Sequence, residues 1–243
     1  MKVCVLMPVY NEERTLETIV ERVLAAPIEE ICIVMVDDGS TDGTRQVMEK
    51  LASRDNRIRI LRHPANRGKG AALRTALQHA EGEIVIFQDA DLEYDPADYP
   101  ALIEPIREGR ADAVFGSRFM RGGLRLPWPQ RMANRMVTGA FNLLFGTRLT
   151  DLETGSKAFR TGIFDPSALQ ASRFDIEIEI AARLLAGGAR IVEVPVRYQR
   201  RSYAEGKKIR WHDLLHALWA VIKWRLTRLG KGTRTDASRE CGH

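Results

Sequence analysis

Asp89 and Asp91 stand one residue apart at the end of the run Ile84-Val85-Ile86-Phe87-Gln88-Asp89-Ala90-Asp91. Two carboxylates at that spacing can grip a divalent cation. Mg²⁺ held by one or two carboxylates normally fills its other positions with water and substrate phosphates. The same spacing also suits an ordinary strand end, where Asp simply turns the chain. A second acidic pair, Asp37-Asp38, closes another apolar run and leads into Gly39-Ser40-Thr41-Asp42-Gly43. Carboxylates so placed can accept from ribose hydroxyls or base N–H groups; the alternative is a turn that satisfies its own backbone. Gly68-Lys69-Gly70 opens a helical pattern, where backbone N–H groups can cradle phosphate, or form a plain loop. The P-loop spacing is absent, and the first strand leads into no Gly-x-Gly-x-x-Gly, which counts against a dehydrogenase.

These residues need elements that deliver them to one place. Val3 to Met7, Ile31 to Val36, a segment with Ile58 and Ile60, Ile84 to Phe87 and Asp112 to Gly116 read as strands. Helical spacing separates them: Leu16, Ile19, Val20, Val23 and Leu24; Val47 and Leu51; Leu73, Ala76, Leu77 and Ala80; and Asp98 to Glu108. Asn11 is placed to cap the first helix, with Glu12 and Glu13 in its first turn. Strands alternating with helices of this length give βαβ units and a mostly parallel sheet. In such a sheet the ligand crevice lies beyond the carboxyl ends of the strands, where both acidic pairs fall. Beyond Ser117-Arg118, a Gly/Pro-punctuated connection precedes a helical stripe from Ala133 to Leu144. Phe174 to Ala186 alternates like a strand at Ile176, Ile178 and Ile180, but its length favours a helix closed by Gly187. Arg190 to Tyr198 reads as a strand.

A chain of 243 residues, 44% apolar and 28% charged, is long enough for one large α/β domain. Cys4 and Cys32 sit in apolar runs and Cys241 in a polar one, which makes neither a disulfide framework nor a zinc site and suits a reducing cytosol. There is no signal-peptide pattern and no apolar run near the ~18 residues of a spanning helix. From Arg197 to Lys231 the sequence carries ten Lys/Arg against two acids, which points to an anionic partner. Nothing in it matches a nucleic-acid motif, so nucleic acid is not the expected partner.

Taken in order, the motifs resemble the family-two inverting glycosyltransferases, and within them the dolichyl- or polyprenyl-phosphate hexosyltransferases. They are Pro8-Val9-Tyr10-Asn11-Glu12, Val36-Asp37-Asp38-Gly39-Ser40-Thr41-Asp42-Gly43-Thr44, Asn66-Arg67-Gly68-Lys69-Gly70 and Gln88-Asp89-Ala90-Asp91. Gly116-Ser117-Arg118, Thr150-Asp151-Leu152-Glu153-Thr154-Gly155-Ser156-Lys157 and Glu205-Gly206-Lys207-Lys208-Ile209 complete the set. The resemblance spans roughly residues 1 to 225 and implies a GT-A nucleotide-sugar-binding fold, α/β, with helices flanking a mostly parallel central sheet. It implies a donor site of Pro8, Tyr10, Glu12, Val36, Asp37, Asp38, Lys69, Ala90, Arg200 and Lys207 together with Asp89 and Asp91. Asp89 and Asp91, with Glu93, would hold Mg²⁺ or Mn²⁺. Arg118, Arg131, Arg135 and Lys208 would meet the acceptor phosphate, and Asp89, Asp91 and Arg118 would carry the catalysis. The donor expected first is GDP-mannose, then UDP-glucose; the acceptor is a polyprenyl phosphate. Two departures stand out. No transmembrane helices follow the catalytic region, and Gly155-Ser156 stand where some relatives carry Cys-Tyr.

Chemistry supports that assignment. A nucleotide-sugar donor leaves as a diphosphate, and a divalent ion stabilises the charge that develops on it. A phosphate monoester acceptor has a second pKa of ~6 and needs cations around it more than a general base. A sugar hydroxyl acceptor would need a carboxylate base instead, a part Asp151 or Glu153 can fill. The expected organisation is a catalytic domain over 1–210, a basic amphipathic helix over 211–231 and a disordered tail over 232–243. Trp211, Leu214, Leu215, Leu218, Ile222, Leu226 and Leu229 form one apolar stripe, with Lys223, Arg225 and Arg228 near its end. Such a helix either packs on the domain's own core or, with Trp219 and Trp224, docks on a membrane surface. The second reading places the enzyme in the cytoplasm, peripheral on the membrane face.

Overall fold

The computed structural model describes residues 1–121, 126–173, 175–200 and 211–227. The strands are β1 (Val3–Val9), β2 (Ile31–Asp37), β3 (Ile58–Arg62), β4 (Ile84–Phe87), β5 (Ala113–Ser117), β6 (Lys157–Arg160) and β7 (Ile191–Pro195). The helices are α1 (Leu16–Leu24), α2 (Thr44–Arg54), α3 (Lys69–Gln78), α4 (Tyr99–Arg107), α5 (Trp128–Phe145), α6 (Ile176–Ala186) and α7 (Trp211–Leu226). One seven-stranded sheet runs β3-β2-β1-β4-β6-β5-β7, and only β6 is antiparallel to its neighbours. The mostly parallel sheet expected from the βαβ pattern is present.

Helices cover both faces, which is why β1, β2 and β4 are apolar at nearly every position. Cys4, Leu6, Val34, Val85 and Phe87 face a core shared with α3, α5, α6 and α7. Val5, Met7, Ile33, Met35 and Ile86 face the other, against α1 and α4.

Three features of the sheet build the site. β1 lies between β2 and β4, pairing Val9 with Asp37 and Leu6 with Phe87, so the loops after all three strands open on one rim. The chain order reverses there, which is where open α/β sheets bind ligands. β6 runs against β4 and β5, with Ala158 opposite Ile86 and Lys157 opposite Phe115. Its start, and the loop of residues 150–156 before it, therefore come to that same rim.

Some local expectations are corrected. α1 begins at Leu16, not beside Asn11; Asn11 has φ 55° and its Oδ1 accepts from Thr41 N at 2.8 Å, tying two loops instead of capping a helix. Glu17, not Glu12 or Glu13, is the acid in the first turn. β6 has no counterpart in the sequence reading. The alternating isoleucines of 174–186 belong to α6, which is buried along Ile176 to Leu184 and so shows no single apolar face. Among the described residues, no helix is long and apolar enough to cross a membrane.

Candidate active site

The loops after β1 and β2 are laced together by short polar bonds. Asn11 N donates to Ser40 Oγ at 3.1 Å, Glu12 N to Thr44 Oγ1 at 2.8 Å, and Gly43 N to Glu13 Oε2 at 2.7 Å. The two acids at the end of β2 then part company. Asp38 is buried, and its oxygens accept from Arg67 N, from Gly68 N at 2.7 Å and meet His63 Nδ1 at 2.6 Å. It holds the 66–68 loop. Asp37 Oδ1 accepts from Ser40 N at 2.8 Å, while buried Oδ2 has no hydrogen bond and only Arg62 Nε at 3.5 Å. A buried lone pair with no donor at a ligand rim costs free energy that a ligand N–H or O–H would recover. Val36 and Ala90 are buried beneath this rim, Pro8 is half-buried and Tyr10 is exposed.

Asp89 emerges from β4 into a charged pocket. Lys69 Nζ, at the start of α3, lies 2.7 Å from Asp89 Oδ1 and 2.9 Å from Oδ2. It also lies 3.1 Å from Glu177 Oε1 on α6. Glu177 Oε2 accepts from the fully buried Lys157 Nζ at 2.6 Å. Burial by itself would pull the Lys69 pKa down; the Asp89 and Glu177 carboxylates outweigh it and hold the ammonium above the usual lysine range. Gly155 completes the enclosure, since a Cβ there would stand 2.6 Å from Asp89 Oδ2. After Asp91 the backbone bends at Leu92, which takes φ 61°, and Asp91 Oδ1 accepts from Glu93 N at 3.1 Å. Glu93 Oε2 accepts from Tyr198 OH at 2.9 Å, and Gln199 N donates to Glu93 O, which ties the chain after β7 to the Asp91 loop. Asp91 and Arg200 line a cleft of about 650 Å³ with Asn11, Glu12, Arg14 and Asp42. That volume suits a small ligand.

Among the described residues, no group of three or more His, Cys, Asp or Glu is arranged to hold a metal by itself. Two carboxylates at a strand end, one of them lining the cleft, still fit a hard cation that would draw its other oxygens from water and a ligand. The donor set therefore suits Mg²⁺ or Mn²⁺ at Asp89 and Asp91, and Glu93 sits beside them.

On the far side of the rim, Arg118 follows β5. Its Nε and Nη2 donate to Asp151 Oδ2 and Oδ1, both at 2.7 Å, and its backbone N to Oδ2 at 3.0 Å. Asn134 of α5 adds a fourth bond to Asp151 at 2.8 Å. Glu193 of β7 fixes the loop by accepting from Thr150 N and Asp151 N. Burial would raise the Asp151 pKa, but Arg118 more than offsets it and keeps the carboxyl below the usual range. The guanidinium lies 5.2 Å from the Tyr198 ring centre and has N–H donors to spare beyond those on Asp151. Asp151 is thus committed to Arg118, whereas burial holds the Glu153 carboxyl above its ordinary pKa. Arg131 and Arg135 are exposed on α5. Lys207 and Lys208 lie outside the described residues.

α7 divides its apolar residues between two sides. Ala220, Val221 and Trp224 are buried against α5 and α6. Leu215, Trp219, Ile222 and Leu226 are exposed on the opposite side, as are Met132, Met136 and Leu143 of α5. Of the stripe expected from the sequence, Leu215, Ile222 and Leu226 are exposed while Leu214 and Leu218 pack against the core, and Leu229 lies outside the described residues; Trp224, expected beside Trp219 at a membrane surface, is buried instead. Lys157 stands in the Thr150–Lys157 motif without an expected role, and for Glu177, Asn134, Glu193 and Tyr198 the only sequence signal is a charged or polar residue in an apolar context.

Residues 4–166 match the family described as Glycosyl transferase family 2. The chain belongs to this family. It is a glycosyltransferase, and its sheet and rim are those of the GT-A fold. Among its relatives, an undecaprenyl-phosphate mannosyltransferase of Micrococcus luteus is 29% identical, covering 96% of this chain and 98% of its own. A polyprenol monophosphomannose synthase of Mycolicibacterium smegmatis is 28% identical over 90% of this chain and 85% of its own. A dolichol-phosphate mannosyltransferase of Pyrococcus furiosus is 30% identical, over 92% and 64%. Glucosyl-3-phosphoglycerate synthase of Mycobacterium tuberculosis, solved with Mn²⁺, UDP-glucose and phosphoglyceric acid, superposes with a TM-score of 0.66 at 23% identity, covering 96% of this chain and 81% of its own.

Proposed function

We propose that this glycosyltransferase transfers a hexose, mannose first and glucose second, from a nucleotide sugar to a polyprenyl phosphate with inversion at C1. The observation that carries this reading is the delivery of two unlike sites to one rim. One is a carboxylate pair beside a lysine, suited to a cation-bound diphosphate; the other is a largely enclosed arginine with N–H donors to spare, suited to a second anion. The names of the polyprenyl-phosphate mannosyltransferase relatives support the same acceptor class.

In this mechanism Asp37 Oδ2 accepts from the nucleoside, and Tyr10 and Glu12 flank it. Asp89 and Asp91, with Glu93 alongside, hold Mg²⁺ or Mn²⁺, which when bound neutralises charge on the leaving diphosphate. Lys69, and Arg200 across the cleft, add positive charge on the same side. Arg118, with Arg131 and Arg135 nearby on α5, holds the acceptor phosphate, whose oxygen attacks C1 from the face opposite the diphosphate. The acceptor is already dianionic near neutrality, so the committed Asp151 needs no proton-transfer role. A sugar hydroxyl acceptor is the second reading, because burial keeps Glu153 more basic than an ordinary carboxylate beside Arg118.

A polyprenyl acceptor stays in a bilayer, so the enzyme works at the membrane surface, on the cytoplasmic side. The exposed row Leu215, Trp219, Ile222 and Leu226 recurs at helical spacing and supports peripheral docking, with Lys223 and Arg225 available to anionic headgroups.

The test is a donor screen with GDP-mannose and UDP-glucose, with and without polyprenyl phosphate, in Mg²⁺, Mn²⁺ or chelator. Lipid-dependent, metal-dependent transfer from GDP-mannose is expected. Asp91→Asn is expected to lower turnover ~10²-fold or more, the scale of one major electrostatic stabiliser. Transfer that survives chelation, or a strict preference for a soluble sugar acceptor, refutes the reading.

A further inference from the structure

Four charged side chains from four separate segments form one row behind the rim. Lys157 of β6 is fully enclosed, Glu177 of α6 is 5% exposed, Lys69 of α3 is 14% exposed and Asp89 is 23% exposed. The signs alternate from the core outward. Lys69 is the shared member, since its ammonium lies within 3.1 Å of carboxylates on both sides. The two sides differ. Both Asp89 oxygens are within 2.9 Å of Lys69 Nζ, whereas buried Glu177 Oε1 has no properly directed hydrogen bond.

A divalent cation at Asp89 must take oxygens that Lys69 now holds. Two cations on one half-enclosed carboxylate repel, and a displaced ammonium needs another anion within reach. Glu177 Oε1 is that anion, already ion-paired with Lys69 at 3.1 Å but without a hydrogen bond of good geometry. We propose that Lys69 is the built-in competitor for the metal at Asp89, and that Glu177 is the positioning residue that receives Lys69 when the metal binds. The inference rests on the proposed metal role of Asp89 and Asp91. Lys157 has its own part. Its Nζ donates to Glu177 Oε2 and to the carbonyls of Leu152 and Thr154, so Glu177 is anchored with Oε1 towards Lys69. The exchange keeps a cation on Asp89 at every stage, and moves the lysine by a rotation of its own stem.

The device predicts an effect of unusual sign, read without turnover. Mn²⁺ alone is titrated into the full chain with no nucleotide present, and free Mn²⁺ is followed by electron paramagnetic resonance. Lys69→Met, which removes the competitor, is expected to bind Mn²⁺ about 10- to 100-fold tighter than wild type, the span of one charge-assisted hydrogen bond. The double variant Lys157→Met/Glu177→Gln removes one charge of each sign from the core and withdraws the receiving carboxylate. It is expected to bind Mn²⁺ about tenfold more weakly on the same basis. Should its melting curve show loss of the fold, Glu177→Asp, which draws the carboxylate back by one methylene, takes its place with the same expected direction. Arg62→Met removes an exposed cation from neighbouring Asp37 and is expected to change affinity less than about threefold, as exposed charges are screened. If wild type binds Mn²⁺ through Asp91 but Lys69→Met binds no tighter, the hand-over is wrong and the metal reading stands. If neither protein binds Mn²⁺ more tightly than Asp91→Asn, the metal reading falls and the hand-over with it.

Discussion

Replacing Asp151 by Asn separates two roles that the sequence left open. A general base would cost turnover when lost and little stability. A clamp for Arg118 would cost stability first. Asp151 is fully buried and the Arg118 side chain is 12% exposed, so the pair is hardly screened by solvent. Asn keeps the shape and one acceptor oxygen, but presents an N–H₂ where the second oxygen met Arg118 or Asn134. Breaking a buried pair by neutralising one partner costs ~3–5 kcal/mol, and the retained acceptor puts this change near ~3 kcal/mol. For a chain of this size, one kcal/mol moves the melting temperature by ~2–4 °C, so a drop of roughly 6–12 °C is expected. The assay is a thermal melt by circular dichroism alongside transfer kinetics well below the melt. The Michaelis constant for the acceptor is expected to rise more than kcat falls, because Arg118 loses its fixed orientation. A melting temperature within about 2 °C of wild type together with a collapsed kcat would refute the clamp and restore Asp151 as the base.

Gly155→Ala places a Cβ 2.6 Å from Asp89 Oδ2, so metal-dependent activity is expected to fall several-fold while far-ultraviolet dichroism stays unchanged. Trp219→Asp with Ile222→Asp changes only exposed positions of α7; sedimentation with anionic liposomes is expected to be lost with the melting temperature within about 2 °C, as surface changes usually allow. An unfolded double variant would mean that these side chains are core. The Asp151 carboxyl lies below its unfolded value of 3.8 in the folded chain, so its stabilisation is complete above that value and lost as pH falls through the folded one. The gap in melting temperature between wild type and Asp151→Asn is therefore expected to be constant from about pH 7 to 5 and to narrow below about pH 4.

The strands β1 to β5, the helices between them and the two acidic pairs were legible because each signal is local. A run of β-branched residues, a helical repeat, or two Asp after a strand needs only near neighbours to be read. β6 was not legible. Lys-Ala-Phe-Arg is short and charged at both ends, and it is a strand only because β4 and β5 offer it edges from both sides. Yet β6 decides the site, since its reversed direction carries Asp151, Glu153 and Gly155 to the rim where Asp89 waits. The same holds for the buried charges. Lys69 and Glu177 are far apart in sequence and 3.1 Å apart in space; nothing near either residue announces that pairing, because the energy of a buried ion is set by its partner. α7 shows the division most plainly. Its sequence alone determined that the helix is apolar around much of its circumference. Which residues face the core, Val221 and Trp224, and which are left to water or lipid, Trp219 and Leu226, was decided only by packing against α5 and α6. Hydrophobicity belongs to a residue, but burial is a relation between surfaces that the chain must first bring together.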